Sequence, residues 1–219
     1  MQEIYTSKPV EASVASNQAS KVLKNTYALL AMTVTFSAVT AGISMKLNVP
    51  FLGLWMLLPY FVCLWMVEKK KNSAAGLFWV FALTGWLGFS LGPILNFYLK
   101  GAGADTVLMA LGGTAVIFFG LSGYVLTTRK NLSFLSGFLM TGMLVAFVAA
   151  IANVFLHIQG LHLAISCMFL MLSSGLIAWQ TSEIIHGGET NYISATVTLY
   201  VMLYNVFTSL LSLIGLSND

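Results

Sequence analysis

Seven apolar runs, at about 27–45, 51–67, 74–99, 105–127, 134–156, 161–185 and 192–214, constrain this chain more than any other feature. A helix needs about 20 residues to cross the ~30 Å hydrocarbon core of a bilayer. Backbone amides inside that core must be satisfied within the segment, so runs of this length are expected to be helices. Composition agrees, since only 8% of the 219 residues are charged and 58% are hydrophobic. A soluble domain carries about 25% charged residues and roughly half apolar ones. The spans occupy most of the chain and leave no room for a separate soluble domain. The expected fold is an all-α polytopic membrane protein, a seven-transmembrane-helix bundle over residues 27–219. A polar N-terminal arm, residues 1–26, precedes it. That arm is too long and polar for a signal peptide, and its Ser, Asn, Ala and Lys content reads as largely disordered.

The net charge of +3 is small, and the placement of the charges says more than their sum. Lys8, Lys21, Lys24, Lys69, Lys70, Lys71, Arg129 and Lys130 fall on one side of the spans, and only Lys46 and Lys100 on the other. Lys and Arg collect in cytoplasmic loops. The N-terminus is therefore expected in the cytoplasm, and with seven spans the C-terminus lies outside. The last two loops carry no Lys or Arg and add nothing to this count. No basic stripe interleaved with aromatics marks a nucleic-acid surface.

Span three places Gly85, Gly88, Gly92 and Asn96 on one face at steps of three and four. Small residues so spaced let helices approach closely in lipid. Gly92-Pro93 is expected to kink or break this helix, because proline lacks the amide its turn needs. Span seven carries Asn191, Ser194, Thr198, Asn205, Ser209 and Ser212 on one stripe, with Met202 in its middle. Such a stripe faces protein or water rather than lipid. It suits either helix-helix contact or a cavity lining. At the end of span six, Gln180, Glu183 and His186 are spaced i, i+3, i+6, with Glu189 and Asn191 just beyond. Two readings stand for this group: a Glu183–His186 pair that exchanges a proton or gates an ion pathway with pH, or a carboxylate at the interface in contact with water or headgroups.

Enzyme readings find little support. Gly120-Leu121-Ser122-Gly123 has the G-x-S-G form of intramembrane serine proteases, whose serine needs a histidine at hydrogen-bonding distance. His162 opens span six on the far side, and His186 falls in a loop. There is no H-E-x-x-H and no P-loop. Cys63 and Cys167 lie within apolar runs and read as two buried apolar residues without a disulfide. No internal repeat is evident. No catalytic residue, metal or cofactor is expected.

Gly88–Leu95 (GFSLGPIL), Ala110–Phe118 (ALGGTAVIF), Thr127–Phe134 (TTRKNLSF) and Leu199–Phe207 (LYVMLYNVF) together resemble the Bax inhibitor, or transmembrane Bax-inhibitor-motif, family. The resemblance covers nearly the whole chain from Lys21 onward. His186–Tyr192 (HGGETNY) and Lys21–Tyr27 (KVLKNTY) are similar to a bacterial branch of it. The resemblance implies a seven-helix bundle in the bacterial inner membrane. It also implies two functions. Some members are pH-sensitive calcium leak channels controlled by two aspartates on the last two spans. The bacterial branch instead binds the FtsH membrane protease and restrains its degradation of membrane proteins, with HflK and HflC as associates.

At the decisive places this chain departs from the channel pattern. Gln180 stands where the first aspartate would be, Met202 where the second would be, and Asn131 at a usually acidic loop position. Calcium prefers hard carboxylate oxygens, which a carboxamide and a thioether do not supply. The sequence thus favours a non-enzymatic regulator that binds FtsH. A calcium or proton leak along spans six and seven is the alternative.

Overall fold

A computed structural model describes residues 7–51 and 53–216; it is 89% helical, with no strand among the described residues. Helix α1 spans Ser7–Lys46, α2 Leu57–Lys70, α3 Ala74–Gly101, α4 Ala104–Thr128, α5 Ser136–Leu156, α6 Gln159–His186 and α7 Tyr192–Leu216. Short 3-10 turns at Gly53–Met56 and Ser133–Leu135 lead into α2 and α5. Six of the helices are long and apolar enough to cross a membrane. The exception is α2, whose 14 residues rise only about 21 Å at 1.5 Å each. With the preceding 3-10 turn, at roughly 2 Å per residue, the segment reaches about 29 Å, close to the thickness of the core. The indole of Trp86 on α3 holds that turn by donating to the Met56 carbonyl at 3.0 Å.

Two expectations are corrected here. The arm is helical from Ser7 rather than largely disordered, and α1 is continuous with the first span. Its 40 residues measure about 60 Å, twice the hydrocarbon thickness, so much of its first half extends beyond the core. The Gly92-Pro93 break is also absent, because α3 runs through Pro93 uninterrupted. Proline there removes one amide, the one that would meet the Phe89 carbonyl. Interior packing outweighs that single loss.

The packing is concentrated on the face of α3 that carries the small residues. A side chain at Gly85 would strike the Phe36 ring, one at Gly88 the Ser37 carbonyl and Thr40 hydroxyl, and one at Gly92 Ser44 and the Met45 amide. One turn further on, the Asn96 carboxamide donates to the Met45 carbonyl at 3.1 Å. That carbonyl also accepts the Asn48 amide at 3.1 Å, so Asn96 adds a second bond at the end of α1. Helices α1 and α3 therefore lie nearly backbone to backbone.

Helix α7 occupies the middle of the bundle, touching α1, α3, α4 and α6. Half of its apolar stretch is buried (50%), against 11% for α5, which is peripheral. Its interior positions Ala195, Leu199 and Val206 are fully covered and pack in one core with Val80 and Leu83 of α3 and Leu176 and Ile177 of α6, while the equally covered Leu211 packs with Ala110 of α4 in a second, smaller one. The opposite situation holds for Phe97, Phe119, Phe138 and Met171, which project outward as expected of a lipid-facing surface. Cys63 is buried, but Cys167 is exposed on the outside of α6. The reading of both cysteines as interior residues is corrected for Cys167.

Candidate functional site

The seam between α6 and α7 carries the polar residues that the sequence singles out, and it divides into three parts. At the end near the basic loops, the last turn of α6 grips the α4–α5 connection. Ser182 is fully buried; its hydroxyl donates to the Lys130 carbonyl at 3.0 Å and accepts the Leu132 amide at 3.0 Å. Glu183 accepts from the Ser133 hydroxyl at 2.6 Å. The His186 ring reaches the Arg129 carbonyl through Nε2 at 3.1 Å and the Ser182 carbonyl through Nδ1 at 2.8 Å. Glu183 and His186 thus serve separate partners on one loop. Among the described contacts none joins them, so the geometry does not form the proton-exchanging pair.

Glu189 and Asn191 shape the turn into α7. The Glu189 carboxylate accepts the Asn191 amide at 2.8 Å. The Asn191 side chain accepts the amides of Ile193 and Ser194 at 2.9 and 3.1 Å, the arrangement of a helix N-cap. Its amide group reaches back to the Lys71 carbonyl and the Asn72 side chain at 3.1 and 2.7 Å. The α2–α3 turn is thereby tied to the start of α7. Beside it Glu68 pairs with Lys71, and that hydrogen bond raises the Lys71 ammonium pKa above its ordinary value. A pocket of about 360 Å³ lies nearby, between Ser20 and Leu23 of α1, Arg129, and His186.

The middle of the seam is closed. Gln180 and Met202 are 3% and 8% exposed, and the Gln180 amide nitrogen has no hydrogen-bond partner among the described residues. Neither residue lines the two cavities described. A hydroxyl cluster crosses the bundle beside them: Tyr200 meets Ser37 of α1 at 2.5 Å and the Thr84 carbonyl of α3 at 3.2 Å, and Tyr204 meets Ser90 of α3 at 3.1 Å. These contacts anchor α7 at the centre.

At the opposite end, a cavity of about 640 Å³ opens between α5, α6 and α7. Asn205, Ser209 and Ser212 line it, with Thr208, His157 and His162. His162 Nε2 lies 2.9 Å from the Ser212 hydroxyl, which also receives the Ser166 hydroxyl at 3.3 Å. Sequence reasoning found the α7 stripe but missed these histidines as cavity residues. Their position in the α5–α6 turn and the first turn of α6 was the available signal. Ser122 lies far from them, buried at 2% exposure with the Thr181 hydroxyl 3.4 Å away. No group of three or more His, Cys, Asp or Glu that could hold a metal occurs among the described residues.

A strand-free helical bundle with six apolar spans and a polar central seam defines a multi-pass helical membrane protein. The family model described as inhibitor of apoptosis-promoting Bax1 matches residues 19–219. The chain is 50% identical, over its full length and 99% of the relative's, to the modulator of FtsH protease YccA of Escherichia coli K12. It is 50% identical over the same extent to the inner membrane protein YccA of Escherichia coli O6:H1. An uncharacterised protein of Pseudomonas aeruginosa is 47% identical across 94% of both chains. The chain belongs to the Bax inhibitor family.

Proposed function

We propose that this protein is a non-enzymatic regulator of the bacterial inner membrane that binds the FtsH protease and restrains its degradation of membrane proteins. The observation that carries this reading is the 50% identity, end to end, with a relative named as a modulator of FtsH protease. The seam adds support, because the positions aligned with the channel aspartates hold a buried carboxamide and a buried thioether. The basic loops face the cytoplasm in this reading, the C-terminus faces outward, and HflK and HflC join the complex. Co-purification from membranes tests the binding. Reconstitution with FtsH and a membrane-protein substrate tests the restraint, with slower substrate loss as the expected result. An unchanged degradation rate in a complex that does form would overturn the restraint and leave only binding.

A second reading, a pH-sensitive calcium or proton leak, is favoured by one observation: the cavity that reaches Asn205 from one end. Against it stands the packed middle of the seam, where Leu176, Ile177 and Leu199 are 0–1% exposed. Flux through the purified protein in liposomes, across mildly acidic to mildly alkaline pH, separates the readings. The regulator is expected to be tight. A pH-dependent leak abolished by Glu183→Gln would establish the channel instead.

A further inference from the structure

We propose that the cleft between α5, α6 and α7 is a one-sided, water-filled vestibule. It admits water from the face opposite the basic loops as far as Asn205. The cleft exists because α5 rests on α6 and makes no comparable contact with α7. The polar stripe of α7 is therefore left without a covering helix at this end. Asn205 has its backbone carbonyl engaged by Thr208 at 3.2 Å, but its carboxamide finds no partner among the described residues. Ser209 is only 6% exposed, lines the cavity, and likewise has no hydrogen-bond partner among them.

Hydrocarbon cannot satisfy such groups, and leaving them bare at membrane depth is costly. The wall contains no Lys, Arg, Asp or Glu, so it offers no fixed charge to hold an ion. Uncharged donors and acceptors that lack protein partners call for water. The volume of about 640 Å³ has room for about twenty waters at the ~30 Å³ each occupies in the liquid. From Gln159 to Phe169 along α6, the lined depth is about 15 Å, half the core. Below Asn205 the seam is filled by Leu172, Leu176, Leu199 and Met202, all buried, and they form the floor. The vestibule is blind, and it stands whichever function the protein performs.

Cysteine accessibility tests this in the full chain. Asn205→Cys, Ser209→Cys and Ala150→Cys are each made in a Cys63→Ala, Cys167→Ala background. The Cys63→Ala protein, which keeps the outward-facing Cys167, serves as the lipid-facing control. Thiols react as thiolates, which form in water and not in hydrocarbon. A sulfonated, membrane-impermeant maleimide added to spheroplasts is therefore expected to label Ser209→Cys and Ala150→Cys at least about tenfold faster than Cys167. Labelling should come only from the outer face. Rates no faster than Cys167, with a permeant uncharged maleimide labelling all sites, would mean that lipid fills the cleft. Labelling by neither reagent would mean a closed void, and labelling from the basic-loop face would reverse the sidedness; each overturns the proposal. Ser209→Cys is nearly isosteric, so it remains informative where Asn205→Cys fails to fold, with gel-filtration behaviour as the check.

Discussion

Ser182 shows how much one side chain can organise. Its hydroxyl serves both a carbonyl and an amide of the α4–α5 loop, and it is fully buried. Ser182→Ala leaves the Leu132 amide and Lys130 carbonyl without this partner, a loss of about 1–3 kcal/mol. The expected outcome is a looser loop, read as faster trypsin cleavage after Arg129 and Lys130, with the remaining helices intact. Unchanged cleavage would show that Glu183 and His186 hold the loop without it. The sequence marked Gln180, Glu183 and His186 by their rarity in an apolar helix, and their common location at the end of α6 was legible. The partners of Glu183 and His186 were not, because Ser133 and Arg129 lie about fifty residues away in the chain. Helical spacing carries no record of contacts at that range. The pairing of His162 with Ser212 escaped for the same reason.

Among elements, the α1–α3 contact makes the sharpest prediction. Gly88→Val places a side chain against the Ser37 backbone carbonyl, which cannot move without shifting α1. A loss of about 1–3 kcal/mol is expected for such overpacking, read as a lower midpoint of thermal unfolding in detergent. Gly123→Ala, where nothing lies within 4 Å, should be silent and serves as the control. The spans themselves were readable because long apolar runs have few alternatives in lipid. Pro93 misled because a helix buried among others tolerates one missing amide. The arm misled because polar composition does not report that a helix already formed downstream can be extended upstream. That extension bears on turnover: an ATP-driven protease must unwind the first half of α1 before pulling on it. Deleting residues 1–20 is expected to slow the degradation of this protein by FtsH, followed by pulse-chase; an unchanged half-life would remove the arm from the mechanism.

For the whole molecule, the proposed role predicts an effect on other proteins rather than a product of its own. Raising its abundance should lengthen the half-lives of membrane substrates of FtsH, measured by pulse-chase, and leave soluble substrates less affected. Equal protection of both classes would place the effect outside the bilayer. The placement of α7 adds a constraint on how this molecule is made. The helix that fills the centre is synthesised after α1, α3, α4 and α6, which surround it. Until it is inserted, those four helices share a hollow interior, with Val80, Leu83, Leu176 and Ile177 facing an absent neighbour. Ribosome-bound intermediates are therefore unfinished rings rather than smaller versions of the product, and assembly waits on its last step. During that wait the nascent chain resembles the orphaned membrane proteins that quality control removes. A protein that restrains a protease would thus first have to outrun one.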